Sequence, residues 1–287
     1  NFGMGNCTDI EYMFDSCYAL TSLNVSNWDV SKVTGMNATF STCKNLTSLD
    51  VSKWQTSSLK QAVNMFMSDA KLTQVAVQNW DMSSVEDLGG MFAYCSSITS
   101  MDVSNWYMPN CKHFINVFNG LTNCKTLKIK GMYAPNATSW GNTFLDMKSL
   151  TSLDLSGIDV SKVTSFEGTF GRMDKITTID LSGWKTSSAT ITTNMFTTDK
   201  NLKTIYVSEN MNVSKVTSDA YMFSVCTSIR GQSGKTYNAS QTGKSMANYS
   251  NGYLTYKAYT AKANIAAPSS SVIISSAKAT DGLTVEE

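Results

Sequence analysis

Acidic residues recur along the chain at multiples of one constant interval. The members of this series are Asp50, Asp102, Asp154 and Asp180. Two carboxylates facing one cleft can hydrolyse a glycosidic bond, and a ladder of carboxylates can bind calcium. Asn24, Ala76 and Lys128 fill the same position elsewhere, and this interruption favours a solvated polar row at the ends of strands. If neighbouring repeats are in register, Lys128 pairs with Asp102 and Asp154, each pair contributing about 0.2 to 1 kcal/mol.

Histidine and cysteine give little sign of a catalytic or metal site. His113 is the only histidine, and because no base is shared between repeats, a Ser-His-Asp triad has little support. The chain has 7 cysteines but no C-x-x-C or H-x-x-x-H spacing, so we predict no bound metal and no cofactor. The cysteines occupy repeat positions that other repeats fill mostly with apolar residues, which indicates packing. Only Cys17 and Cys43 are placed to form a disulfide, if their Cα atoms lie about 4.4 to 6.8 Å apart.

A column of tryptophans also follows the repeat. Stacked indole rings can form a platform for sugars, but Met132 and Ile158 replace tryptophan in two repeats. Both replacements keep the bulk and lose the flat ring, which favours a buried corner. The column remains the best aromatic candidate, and the predicted ligand-binding residues are Asn24, Asp50, Asp102, Lys128, Asp154, Asp180, Tyr206, Trp28, Trp54, Trp80 and Trp106.

All of these residues are positioned by one internal repeat. A phenylalanine returns with a constant 26-residue period at positions 14, 40, 66, 92, 118, 144, 170 and 196, and the next, Phe223, comes one position late. Apolar residues at the first, fourth and sixth positions, as in Leu46, Leu49 and Val51, predict a short strand with one buried face. Later spacings of three and four predict a short helical turn. We therefore predict an α/β repeat solenoid, leucine-rich-repeat-like, with one parallel strand and one helical turn per coil.

The repeat also predicts the domain organisation. Residues 1–229 form the solenoid, as a partial N-terminal unit followed by eight units. Residues 230–260 lose the period and become rich in Gly, Ser, Tyr and Asn, which is typical of a capping segment. Residues 261–287 read as a linker, with a possible strand at 271–275, or as the start of a following domain. Because the sequence starts with Asn1 and no basic start with an apolar stretch follows, as in a secretion signal, we expect the chain to be a fragment of a longer protein.

Charge and hydropathy exclude two classes of partner. Lys plus Arg is 23 and Asp plus Glu is 22, which leaves a net charge of +1. Such a balance provides no basic field to hold nucleic acid. The longest apolar runs are far shorter than the roughly 20 residues needed to span a bilayer, so we predict no membrane insertion.

The repeat resembles a known bacterial family. Its form, L-T-S-L-D-V-S-x-W-D-V-S-K-V-T-x-M-x-x-x-F-x-x-C, is clearest at residues 20–45, 46–71, 150–175 and 176–201. It is similar to the 26-residue surface-protein repeat of Gram-positive bacteria and mycoplasmas, and to BspA-like leucine-rich repeats. The resemblance implies an extracellular protein, at the cell surface or attached to the wall, that contacts a protein or glycan of a host or neighbouring cell.

These features predict a non-catalytic surface scaffold that mediates adhesion or ligand binding. One alternative is a solenoid enzyme acting on carbohydrate, but arginine occurs only at 172 and 230, and no repeat carries a polar insertion that would build a cleft. A second alternative is a purely structural spacer or stalk. A third treats the threonine column, Thr21, Thr47, Thr73, Thr99, Thr151 and Thr177, as a flat water-ordering face.

Overall fold

The chain winds into a solenoid of stacked 26-residue coils. The computed structural model describes residues 3–260. Isolated parallel bridges join Gly35 to Gln61, Gln61 to Asp87 and Asp87 to His113, and the series continues to Ile191. The last step, from Ile191 to Ser218, is one residue longer. The predicted repeat solenoid is confirmed, including the slip in its last coil.

Each coil begins with a short extended segment that pairs in parallel with its neighbours. The strands are β1 Ser100–Asp102, β2 Thr126–Lys128, β3 Ser152–Asp154, β4 Thr178–Asp180, β5 Thr204–Val207 and β6 Thr255–Tyr256. β1 pairs with β2, and β3 to β6 form a sheet in chain order. The first coils make only single bridges, such as Ser22 with Ser48. Leu46, Leu49 and Val51 are buried, as the alternation predicted. We call the surface formed by the outward side chains of these segments, from Asn24 to Tyr206, the strand face.

The second half of each coil differs from the predicted short helical turn. Ala38 donates its N–H to Val63 O in the next coil at 2.8 Å, whereas Thr39 donates to Met36 O in its own coil at 3.3 Å. Ala38 and Thr42 have φ values of 50° and 62°, and a left-handed residue at every fourth position interrupts a right-handed helix. The segment is therefore a ladder of tight turns. Within residues 3–260 the only helix is one 3₁₀ turn, Lys244–Met246.

The repeat phenylalanines form a continuous column through the core. Ring centroids of successive residues lie 5.5 Å apart for Phe66 and Phe92 and 6.3 Å apart for Phe92 and Phe118, with nearly parallel planes. All three side chains are fully buried. Burial of one such ring stabilises the fold by about 1.5 to 3 kcal/mol, so the column is a main source of cohesion between coils.

Residues 230–260 depart from the repeat and lie against the last coil. Tyr253 is fully buried and packs edge-on against Phe223, with ring centroids 5.4 Å apart. β6 extends the sheet beyond β5. The predicted linker at 261–287, with its possible strand, lies outside the described residues.

Candidate binding site on the strand face

The strand face carries the polar residues that the sequence singled out. Asn24, Asp50, Lys128 and Asp154 are exposed, and Asp102 and Tyr206 are half-buried. Because equivalent side chains of parallel strands lie about 4.8 Å apart, these residues form a row along the solenoid. Asp180, the last carboxylate of the series, is only 7% exposed.

Each carboxylate of the row also closes the turn that follows its strand. Oδ1 of Asp50 accepts the N–H of Ser52 at 3.1 Å and its hydroxyl at 2.6 Å. These two bonds lower the pKa of Asp50. At Asp102, burial raises the pKa, but hydrogen bonds from Ser104 and Lys128 outweigh it and the net shift is downward. These carboxylates are therefore ionised at neutral pH.

Lysines on neighbouring coils neutralise part of this charge. Asp102 and Lys128 are direct partners in the β1–β2 register, and their charged atoms lie 3.4 Å apart. The predicted pairing of Lys128 with Asp102 is confirmed. Asp154 pairs instead with Lys130, at 2.7 Å. Lys130 lies two residues beyond the strand position considered in the sequence.

A shallow groove of about 680 Å³ crosses the strand face from the second coil to the fifth. Asp50, Asp102 and Lys128 lie along it with Ser100, and Val75 and Met101 contribute apolar surface. The groove thus offers hydroxyl groups and charges beside apolar atoms, the mixture found where proteins orient a ligand.

Asp180 does not belong to this open row, in contrast to the sequence prediction. Lys257 forms an ion pair with it, and the Lys257 ammonium lies 5.3 Å from the ring centroid of Tyr206. Asp180 and Tyr206 are therefore covered in part by the segment that follows β6. The sequence did not reveal this contact, because Lys257 lies outside the repeat.

The tryptophan column is buried rather than exposed as a sugar platform. Trp54 and Trp80 are each 4% exposed and Trp106 is fully buried. Each indole N–H donates to a carbonyl of the preceding coil, as from Trp80 to Val51 O at 3.1 Å. Trp28, in the first coil, is half-buried. The three buried tryptophans cannot present a ring face to a ligand and leave the candidate site.

His113 has an acidic partner that the sequence did not predict. Its Nδ1 lies 2.8 Å from Oδ2 of Asp87 in the preceding coil, and Ser139 follows in the same ladder. Within the described residues no hydrogen bond joins His113 to Ser139, whose Oγ accepts the N–H of Gly141 at 3.3 Å. The three residues form a surface row in which the Ser–His contact of a triad is not made.

The cysteines pack in the core of the coils. All seven are free thiols, and five are buried. Cys43 Sγ donates to Phe14 O at 3.1 Å, as Cys95 does to Phe66 O at 2.8 Å. Cys17 and Cys43 are not bridged. Among residues 3–260 no three His, Cys, Asp or Glu side chains are grouped to hold a metal ion. No helix in this part of the chain is long and apolar enough to cross a bilayer.

One aromatic pair was missed in the sequence. Tyr107 and Tyr133 stack with ring centroids 5.1 Å apart and planes at 6°, and both are half-buried. The signal was present, because two consecutive repeats read Y-x-P-N where others read D-V-S-K. The pair lies at the corner beside the strand face, outside the groove.

Comparison with known proteins gives a family match over most of the chain. Residues 8–132 and 136–260 match the model of a family described as Mycoplasma protein of unknown function, DUF285. No curated protein matches. Among solved structures, a leucine-rich repeat protein from Bacteroides ovatus is 14% identical, with 77% of this chain and 68% of that chain covered and a TM-score of 0.39.

Proposed function

The chain belongs to the DUF285 family of Mycoplasma proteins of unknown function, and we propose that its leucine-rich-repeat-like solenoid is a non-catalytic scaffold that binds a protein or a glycan. The groove across the strand face carries this proposal. Its lining of hydroxyl groups, charged groups and apolar atoms over four coils offers a ligand both polar and apolar contacts. The partner is a protein or glycan of a host or a neighbouring cell.

The chemistry of the groove supports binding over catalysis. A glycosidase needs one carboxyl group whose pKa is raised, so that it can protonate the leaving oxygen. The pKa values of Asp50 and Asp102 in the groove are both lowered, as is that of Asp154 farther along the strand face. Each of these carboxylates also accepts a hydrogen bond from the serine two residues later, which fixes it in a turn.

We also propose a location and a division of the chain. The neutral, hydroxyl-rich composition and the surface-protein form of the repeat support an extracellular position, at the cell surface or in the cell wall. Residues 1–229 serve as the displayed solenoid and residues 230–260 as its cap. The contact of Tyr253 with Phe223 supports the role of the cap.

The test is binding of the purified protein to glycan and host-protein arrays. The groove variant combines Asp50→Asn, Ser100→Ala and Lys128→Gln, and the matched control is Lys112→Gln, an exposed lysine outside the groove. We expect the groove variant to bind its array ligand at least about tenfold more weakly, a change of about 1.4 kcal/mol, and the control to bind as the wild type does.

Three outcomes reject the proposal in different ways. Unchanged binding by the groove variant excludes this face. Binding to no glycan or protein leaves the spacer or stalk as the function. Turnover of a polysaccharide by the wild-type protein establishes the enzymatic alternative.

A further inference from the structure

The segment that follows Leu254 leaves the cap and runs back over the solenoid. Tyr253 and Leu254 are fully buried and fix its start. β6 then pairs with β5, and Lys257 donates its N–H to Val207 O at 2.8 Å. We call residues 255–260 the strap.

The strap crosses successive coils in the direction of the groove. Its first two residues form β6, which lies beside β5 of the eighth coil at the end of the sheet. Lys257 reaches Asp180 in the seventh coil. The strap therefore covers the C-terminal part of the strand face, whereas the groove occupies coils two to five.

Two glycines provide the surface on which Tyr259 lies. A Cβ at Gly183 would lie 2.6 Å from Tyr259 Cδ1, and a Cβ at Gly157 would overlap the Tyr259 hydroxyl. The φ angle is 78° at Gly157 and 90° at Gly183. A positive φ of this size is what the third residue of a type II turn requires. Any other residue at these two positions would displace the ring.

The earlier coils have no such surface. The residues at the equivalent position of the first four coils are Asn27, Lys53, Asn79 and Asn105, and none of them has a positive φ. Glycine appears there only in the fifth, sixth and seventh coils, as Gly131, Gly157 and Gly183. The side-chain-free surface thus coincides with the part of the solenoid that the strap approaches, and Gly131 continues it toward the groove.

The strap is held by contacts at the surface. None of its six residues is fully buried. The backbone attachments are the β6 pairing, the Lys257 N–H bond to Val207 O and the Tyr256 N–H bond to Gln232 Oε1 at 2.7 Å. The side-chain attachments are those of Tyr256 to Tyr249 and Glu209, of Lys257 to Asp180 and Tyr206, and of Tyr259 to Gly157 and Gly183. Segments with so few buried groups open at a small fraction of the global unfolding free energy.

We propose that the strap is an autoinhibitory cover, and that its release extends the ligand-binding strand face from the groove to Asp180 and Tyr206. The ligand part of this inference rests on the proposed function. Closure and release are properties of the strap itself. With the strap seated, the Asp180 side chain is only 10% exposed; with the strap released, it joins the row of open carboxylates.

Carbodiimide-driven coupling of a small amine to carboxylates, quantified by peptide mass spectrometry, tests the release. The strap variants are Lys257→Ala and Tyr259→Ala. The matched controls are Lys200→Ala and Tyr221→Ala, which replace exposed residues outside the strap. We expect several-fold faster labelling of Asp180 in the strap variants, approaching the rate of exposed Asp50, and no change in the controls.

A second measurement needs no substitution. Raising the salt concentration of the wild-type protein from about 0.05 M to about 1 M shortens the screening length to about 3 Å and weakens the Lys257–Asp180 pair. Asp180 labelling should then rise relative to Asp50, while Asp199, fully buried in the same coil, stays unlabelled. Unchanged Asp180 labelling in the variants and in high salt would overturn the proposal that the strap covers and releases Asp180. Failure of every array ligand to bind would overturn only the proposed function.

Discussion

The backbone N–H of Cys43 donates to Oδ1 of Asp69 at 2.7 Å, from one coil to the next. Oδ2 of Asp69 has no hydrogen-bond partner among the described residues, and the side chain is fully buried. Burial raises the pKa of this carboxyl to about 8. Asp199 repeats the arrangement with the N–H of Met173 at 2.7 Å, and burial raises its pKa as well. The solenoid therefore contains two buried carboxyl groups that favour the protonated form.

The stability of the solenoid should fall as pH rises from about 4 to about 8. In this window unfolded Asp69, with an ordinary pKa of 3.8, has lost its proton, whereas the folded protein retains it. Each pH unit then costs about 1.4 kcal/mol for such a group, and the loss ends above the folded pKa. Asp69→Asn removes its share of this titration and should reduce the slope in chemical denaturation from pH 4 to 9, with the share of Asp199 remaining.

The control for this prediction is Glu86→Gln, which changes an acid whose side chain is 45% exposed. It should leave the slope at its wild-type value. Equal slopes for the wild type and Asp69→Asn would show that Asp69 titrates alike in the folded and unfolded states.

Loss of one ring from the phenylalanine column should weaken the coupling between coils. Phe92 is fully buried between Phe66 and Phe118, so Phe92→Ala should cost about 3 to 5 kcal/mol. Because each coil contacts only its neighbours, a defect in mid-solenoid should also broaden the unfolding transition. Calorimetry measures both effects. Tyr94→Ala, at a position 47% exposed, is the control, and an equal loss there would contradict a special role for the column.

The indole N–H of Trp80 should contribute to stability apart from the bulk of its ring. Val51 O accepts that N–H at 3.1 Å and the backbone N–H of Trp54 at 3.2 Å, so Trp80→Phe removes one of its two hydrogen bonds. The expected loss is about 0.5 to 1.5 kcal/mol for the lost hydrogen bond, in addition to the loss of ring volume. Urea denaturation measures it. Tyr221→Phe, on a side chain 64% exposed, should be neutral, and a neutral Trp80→Phe would show that the indole hydrogen bond makes no net contribution.

The ion pair on the strand face should affect stability very little. The side chains of Lys128 and Asp102 are 67% and 36% exposed, and exposed pairs contribute about 0.2 to 1 kcal/mol. Lys128→Gln should therefore lower the unfolding free energy by no more than this amount. A double-mutant cycle with Asp102→Asn measures the coupling, and a coupling well above the range of exposed pairs would mean that the pair is desolvated. A small value makes Lys128→Gln a clean probe of binding.

Much of the architecture was predictable because its contacts repeat with the sequence. The 26-residue interval between Phe66, Phe92 and Phe118 placed three rings in one column, and the same interval placed Lys128 beside Asp102. The replacement of tryptophan by Met132 and Ile158 correctly favoured a buried corner. In each case the informative contact joins equivalent residues of adjacent coils, so the period alone specifies it.

The helical turn was predicted wrongly for a physical reason. Apolar spacings of three and four fit both a helix and a series of tight turns, since both bring every third or fourth residue to the same side. The choice depends on where the backbone N–H groups donate. Ala38 donates to Val63 in the next coil, and no pattern within a single repeat contains that partner.

The sequence by itself determined the period, the stacking register and the identity of the core columns, because these follow from interactions between identical positions one coil apart. Only the tertiary structure decided which part of the strand face is open. Lys257 reaches Asp180 across 77 residues, and Tyr259 lies on Gly157 and Gly183, contacts that no repeat interval encodes. Residues outside the 26-residue repeat contact whichever residues the folded chain brings beside them. These contacts therefore decide which part of the strand face is covered, and the period does not predict them.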